Sequence, residues 1–566
     1  MVSSNLTLPD LVEQAFAACN AERHDEAEAL CQRVLTIDPF NLDALHMLSV
    51  AQAANDKPDL ALLSCERALA LRPDFVFALY NRAAILRELK RYEEALRAYE
   101  AVLAVQPDHP NAFSGAAECA LTLCDWDSQA RLAGQMAARV QDATSIVAPF
   151  VLLGYSSDPS LQRRCAEKFV RDKVPTPLVP AFCRAGERSS ARIRLAYLSA
   201  DFHEHATAYL SAGLFEQHDR DRFEVIGVSF GHSRPGATRN RIVRAFDQFH
   251  DVRDLGDAEI ADLLVELGVD IAIDLKGHTL DSRLGVLARR PAPIQVSYLG
   301  YPATMGADFI DYLIGDATVT PFAHQPFYAE RIVHLPGSYQ VNDSRRGRAA
   351  GTPTRVQAGL PDQGVVFCCF NGNWKITPAV FDVWMRLLRQ VPASTLWLLK
   401  SNEVAERNLR REAEQRGVSP SRLVFGEVLP ADRHLARYPL ADMFLDTLPV
   451  NAHTTASDAL WAGLPVLTCL GEAFAGRVAA SLLQAAGMPD LIVNDLAAYE
   501  ATALRLANDP AGLAGLKARL EASRDDCALF DTRRFARHIE AAYAAMWEAR
   551  RGGEAPTSFA VKTSGP

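Results

Sequence analysis

The residues from Asp446 to Pro465 pack several chemical options into one short stretch. An apolar run ends at Asp446, a small polar loop follows, and a helix is expected to open near Thr454. The hydroxyls and backbone N–H groups of Thr454 and Thr455 would face an anion, which the helix dipole also favours. Asp458 follows one turn later on the same face, where a carboxylate accepts both hydroxyls of a ribose. Gly463 and Pro465 then end the helix. Phosphate plus ribose means a nucleotide. No G-x-x-x-x-G-K-[ST] and no G-x-G-x-x-G at a first strand is present, so neither an NTPase nor a dehydrogenase is expected.

A second such stretch runs from Val366 to Pro378 and reads as strand, polar loop and helix start. Thr377 is the expected N-cap and Pro378 the first helical residue. Lys375, just ahead of that helix, can neutralise phosphate charge. A third stretch contains His203 and His205. They sit at i and i+2 with no third ligand nearby, so a metal site is not expected. A single His205 exchanging a proton at neutral pH fits better, and the small residues after it suit close approach of a ligand. Asp274, Gly277 and His278 stand at the end of another apolar run as cleft wall. Asp274 either orients a base or closes a strand-end turn. The Gly300-Tyr301-Pro302 turn points to special backbone geometry. Asp125-Trp126-Asp127 resembles a metal-binding D-x-D but has no strand before it, so chance accounts for it.

Positioning these residues takes a large chain. Its 566 residues are 49% apolar and 23% charged, enough for three to four packed domains. Lys plus Arg is 59 against 69 Asp plus Glu, a net charge of −10, which disfavours a general nucleic-acid binder. The longest uncharged stretch considered, between Asp142 and Asp158, is 15 residues and holds Pro149 and Gly154. A spanning helix needs about 18 to 20 apolar residues. The first residues carry no basic and apolar signal pattern, and the 11 cysteines form no C-x-x-C. Reduced thiols in a cytoplasmic protein are expected.

Pro39, Pro73 and Pro107 recur at intervals of 34, as do Ala27, Ala61 and Ala95. Each unit reads as two amphipathic helices with small residues at the crossing and Pro ending the second. The pattern looks like tetratricopeptide repeats. A fourth unit begins near Pro110, lacks the closing Pro and has Ala130 one residue late. Such a solenoid offers a concave groove for peptide, supports its neighbours, or pairs two copies as a homodimer. From about residue 191 the period changes: β-rich runs alternate with helical stretches in two sets, separated by an Arg-, Gly- and Pro-rich loop at 345–355. That predicts parallel sheets with ligands at the strand carboxyl ends. The resulting division is 1–142 repeats, 143–190 helical linker, 191–345 first lobe, 346–550 second lobe and 551–566 flexible tail.

Repeats followed by S-x-D-F…H, R-P-A-P-I-Q…L-G-Y-P, F-N…K-I and H-T-T-x-x-D-x-L-W-x-G-x-P resemble the bacterial members of the O-linked N-acetylglucosamine transferase family. The resemblance covers about residues 1–550. It implies an α-helical TPR solenoid followed by an α/β GT-B fold of two Rossmann-like lobes. It also implies a metal-independent inverting transferase without cofactor, with UDP-GlcNAc as donor and Ser or Thr hydroxyls of a protein as acceptor. The second lobe would hold UDP-sugar and the repeats would feed peptide to the cleft.

Carried over, His205 matches the proposed proton acceptor and Lys375 the diphosphate-contacting lysine. Leu429 and Ala431 match backbone positions that hold the uracil, and His434 and Arg437 the H-x-x-R pair of the nucleotide site. His453, Thr454 and Thr455 match the phosphate loop, Asp458 the ribose carboxylate, and His278 a loop of G-H-T or G-Y-T. Departures exist. The animal pattern has Gln at Gly372, so that contact is absent or supplied by Asn373. It also has a lysine at Ala431. Plant relatives using GDP-fucose replace His453 and Asp458 by a Thr run and Glu, so the chain sides with UDP-GlcNAc. Another donor (GDP-fucose or UDP-glucose), or a nucleotide-binding scaffold without turnover, are the competing expectations.

Overall fold

The computed structural model describes residues 7–142, 144–175, 191–232, 235–347 and 351–562. Residues 143 and 176–190 of the expected 143–190 linker, residues 348–350 of the inter-lobe loop and the last four residues of the expected tail lie outside them. The chain divides into two compact units, Met1–Val147 and Ala148–Pro566.

The first unit is four helix pairs: α1 Leu8–Asn20, α2 His24–Ile37, α3 Leu42–Ala54, α4 Pro58–Leu71, α5 Val76–Glu88, α6 Tyr92–Val105, α7 Ala112–Leu123 and α8 Trp126–Gln141. Pro39, Pro73 and Pro107 each follow the end of a second helix, where a missing N–H stops the ladder. Ala15, Ala27, Ala61 and Ala95 are fully buried at the crossings. Glu22, Asp56, Lys90 and Cys124 all take positive φ in the turn inside each pair. The fourth pair therefore keeps the turn although it lacks the Pro. Asp125 is the N-cap of α8, accepting from Ser128 N at 3.2 Å, which is its role in the D-x-D string.

The second unit opens with helices Pro149–Leu153 and Pro159–Lys173. Its first sheet contains β1 Ile193–Ser199, β2 Phe223–Ser229, β3 Gln248–Asp251, β4 Ile271–Asp274, β5 Ile294–Ser297, β6 Tyr312–Gly315 and β7 Arg331–His334. The second contains β8 Val366–Cys369, β9 Thr395–Leu399, β10 Leu423–Gly426, β11 Met443–Leu445, β12 Val466–Cys469 and β13 Ile492–Val493. Among the described residues every strand pairing is parallel. The second sheet is ordered β10-β9-β8-β11-β12-β13. Central strands are buried on both faces, as parallel sheets under helices must be.

The chain then returns to the first sheet. Helix Thr532–Arg551 places Tyr543 against Tyr197, Phe535 beside Tyr298 and Glu540 on His218 Nδ1 at 2.9 Å. Phe559–Ala560, β14, pairs with β7, giving the order β14-β7-β6-β5-β4-β1-β2-β3. Two sequence expectations are corrected here. Residues 532–550 belong with the first sheet, although they follow the second in sequence. The segment 552–562, read as mobile from its Gly and Pro content, carries an edge strand.

None of the ten described cysteines is in a disulfide, and eight are buried. Among the described residues no helix is long and apolar enough to cross a membrane.

Candidate functional site

β11 delivers Asp446 to the carboxyl edge of the second sheet, fully wrapped by the loop that follows. Its carboxylate accepts Thr447 N at 2.7 Å, Ala452 N at 2.6 Å and Thr468 Oγ1 at 2.6 Å. Asn371 Nδ2, after β8, approaches it at 3.4 Å and donates to Thr447 Oγ1 at 2.8 Å. Burial pushes Asp446 up to about 6, against these bonds and the nearby Lys375 charge. The loop ends at His453, the N-cap position of helix Thr454–Trp461.

Thr454 and Thr455 are the first two residues of that helix, so their N–H groups have no intrahelical acceptor. The Thr455 hydroxyl, expected to face an anion, instead donates to Asn371 Oδ1. The two backbone donors remain for a ligand. His453 Nε2 meets Ala475 O at 3.2 Å, and burial with the Lys375 charge lowers its pKa to about 3, so the ring is neutral. Lys375 closes the short turn Asn373–Lys375 and donates from Nζ to Asn451 O at 2.7 Å. Burial lowers its pKa to about 8, with Asp446 opposing the shift.

These groups meet across a cavity of about 220 Å³. Lys375, His453, Thr454, Thr455, Asn371, Gly372 and Trp374 come from the second lobe. Gly300 and Pro302 come from the first, and Phe150 and Leu153 from the helix before it. A Cβ on Gly300 would fall 1.9 Å from Leu275 O, so only glycine permits this wall. At Gly372 a Cβ would fall 2.8 Å from Trp374 Nε1; the indole occupies the space a longer side chain would need. Asn373 is buried and lies outside the cavity lining.

Asp458 stands one turn down the helix, about 6 Å further along its axis. It is buried and ion-paired with Arg346. Helix Ala431–Arg437 supplies the neighbouring wall. Arg437 donates to Glu427 O at 2.7 Å and to His434 Nδ1 at 2.5 Å, and its guanidinium lies 4.2 Å over Phe370. Burial, then Arg437 and Arg346, lower the His434 pKa to about 3. Leu429 and Ala431 lead into this helix, Leu429 with its side chain partly exposed.

On the first lobe, His205 is the N-cap of helix Ala206–Gln217, its Nδ1 3.3 Å from Thr207 N and 3.5 Å from Asp201. Asp201 is held by buried Lys276 at 2.8 Å. Burial lowers the His205 pKa; Asp201 opposes this and Lys276 adds to it. His203 lies 5.8 Å from His205 ring to ring, and among the described residues no third ligand joins them. Asp274 closes the strand-end turn, accepting Lys276 N and Gly277 N at 2.9 Å each. His278 is buried, donates from Nε2 to Met305 O at 2.8 Å and packs edge-on against Tyr301. Asp274, His278, Tyr301 and His205 are not cavity-lining residues.

The structure thus brings Lys375, His453, Thr454 and Thr455 together, with Asp458 and His434 adjoining. Sequence reasoning missed Asn371, Trp374 and Asp446 as working residues, although all three lie inside motifs it quoted. It had no signal for Phe150, Leu153 or Arg346, which carry no motif.

The chain matches the family model described as Glycosyl transferase family 41 over residues 165–349 and 346–539, and that of the tetratricopeptide repeat over 76–109. It is 34% identical over 459 residues to a probable UDP-N-acetylglucosamine–peptide N-acetylglucosaminyltransferase, SEC, of Arabidopsis thaliana, covering 78% of this chain and 47% of that one. It is 28% identical over 490 residues to the UDP-N-acetylglucosamine–peptide N-acetylglucosaminyltransferase of Caenorhabditis elegans, covering 67% and 42%. The chain spans less than half the length of these two relatives. Among solved structures, an O-GlcNAc transferase mutant of Thermobaculum terrenum is similar, with a TM-score of 0.69 and 29% identity over 98% of this chain and 100% of that one.

Proposed function

The chain belongs to glycosyl transferase family 41, and we propose that it moves N-acetylglucosamine from UDP-GlcNAc to Ser or Thr hydroxyls of proteins. The observation that carries this reading is one cavity lined by Lys375 and the first two residues of helix Thr454–Trp461 together with Gly300 and Pro302. That is a cradle for a leaving diphosphate at the junction of two parallel lobes.

The proposed reaction is a direct displacement with inversion. The acceptor oxygen forms its bond to the anomeric carbon as the bond to the β-phosphate oxygen breaks. The bonding pair leaves with UDP, and the acceptor proton passes to a base. Lys375 and the helix N-terminus stabilise the charge that grows on the diphosphate, without a metal or other cofactor. Asp458 sits one helical turn away and shares the Arg346 charge with His434 of helix Ala431–Arg437, where the nucleoside half would lie. The repeats α1–α8 are the proposed peptide-docking surface, and self-association of the repeats into a homodimer is a further proposal. A cytoplasmic location fits the expected reduced thiols.

Calorimetry in EDTA with UDP, UDP-GlcNAc, UDP-glucose and GDP-fucose tests the donor. Uridine-selective binding that survives EDTA supports it, and transfer to peptide from UDP-GlcNAc completes it. GDP preference moves the reading to a fucosyl donor. Binding without turnover leaves a scaffold.

His205 is the proposed base, with the donor's own α-phosphate the rival. A neutral imidazole at working pH suits that role, and burial keeps its pKa below the usual histidine value. The acid limb of kcat/KM is therefore expected below about 6.5. His205→Ala is expected to lose roughly 10²-fold or more in turnover. Near-normal turnover with an intact fold would sink the assignment.

A further inference from the structure

Arg346 lies in the connection between the two sheets, with a side chain only 7% exposed. Its Nη2 donates to Asp458 Oδ1, the carboxylate assigned above to the ribose. Its Nη1 is buried and has no hydrogen-bond partner among the described residues. An unmet buried donor is costly, more so when charged, and such groups rarely persist without a use. The Arg346 charge also acts on His434, Tyr438 and Tyr209. That places the guanidinium at the His434 and Asp458 end of the site, a helical turn from the Lys375 cavity. The other arginine there, Arg437, already directs its two Nη groups to Glu427 O and His434.

We propose that Arg346 is a donor-recognition residue: Nη2 sets the Asp458 carboxylate for the ribose, and Nη1 donates to an oxygen of the nucleoside half. The proposal rests on the donor-site reading and adds to it a binding residue from the inter-lobe connection. A planar guanidinium suits both tasks, because its N–H groups fan out in a rigid fork that one carboxylate oxygen does not exhaust. The acceptor it serves is a base carbonyl or ribose oxygen, common to nucleoside mono- and diphosphates. Its contribution is therefore independent of the β-phosphate, unlike that of Lys375.

Calorimetry on the full chain with UMP and UDP separates these roles. Arg346→Met is expected to weaken both ligands by the same factor, roughly tenfold to a hundredfold. Lys375→Ala is expected to weaken UDP more than UMP. Because Arg346→Met leaves buried Asp458 without its cation, the comparison is repeated as Arg346→Met/Asp458→Asn against Asp458→Asn, two proteins that both lack the buried carboxylate. Part of the loss is expected to persist there.

Unchanged or tighter UMP binding in Arg346→Met overturns the proposal. So does a loss confined to UDP, or one that vanishes in the Asp458→Asn background. Wild-type UDP binding that falls in Lys375→Ala but not in Arg346→Met removes this proposal and leaves the donor site standing. Wild type that binds no uridine nucleotide removes both.

Discussion

Lys375→Ala is expected to lower sugar transfer by about 10² to 10³-fold while leaving the fold and melting temperature close to wild type. The reason lies in what Nζ does at rest. It is held in a half-buried turn, donating to Asn451 O at 2.7 Å, and burial has already brought its pKa down to about 8. A cation kept there against that desolvation is poised for an anion, and its removal relieves a cost to folding. A diphosphate at the cavity favours the charged form and pulls the pKa back up. Binding near pH 8 should therefore take up a proton, and UDP affinity should fall as pH rises through about 8. Titrations in two buffers of different ionisation heat read that proton directly, and the uptake should vanish in Lys375→Ala. Affinity that stays flat from about pH 7 to about pH 9 would show that Lys375 does not meet the phosphates.

The same residues show how far one sequence reaches. Thr454, Thr455 and Asp458 were legible because a helix N-terminus imposes a local geometry: N–H donors at its start and a carboxylate one turn on. Lys375 was legible because Thr377 and Pro378 mark a helix start. The interval of 34 was legible because each helix pair repeats its own packing, down to the left-handed residue at Cys124. Three kinds of fact were not legible. Short polar edge strands such as Gln248–Asp251 carry no apolar pattern, and β14 sits in a segment whose composition reads as mobile. Partners far apart in sequence leave no spacing signal: Arg346 meets Asp458 over 112 residues, and Glu540 meets His218 over 322. Side chains that satisfy loops look like ordinary loop residues, as Asn371 does against Thr455, although the turn that Asp274 closes was among the readings its sequence position offered.

Asp446→Ala is expected to destabilise the second lobe by about 3 kcal/mol or more and to abolish measurable UDP binding. Its carboxylate is the acceptor for three buried donors, from Thr447, Ala452 and Thr468. Removing it strands all three, each at about 1–3 kcal/mol. The loop it organises ends at His453, so the same loss blurs the N–H groups of Thr454 and Thr455 and the Asn451 carbonyl that seats Lys375.

Asp446→Asn separates charge from shape. It keeps one acceptor oxygen and should cost less stability, while the site loses the anion beside Lys375. The pH dependence has a definite sign. Folded Asp446 titrates at about 6, above the ordinary 3.8, so the native state binds its proton more readily than the unfolded chain does. Its contribution to stability falls as pH rises through about 6 and recovers as pH is lowered. Between about pH 6 and pH 5, wild type should gain on Asp446→Asn by up to about 1 kcal/mol, read from paired melting curves. An Asp446→Ala protein that melts like wild type and binds UDP normally would mean that the loop holds itself without this carboxylate. The donor cradle would then have to be organised by the Asn371–Thr455 bond alone.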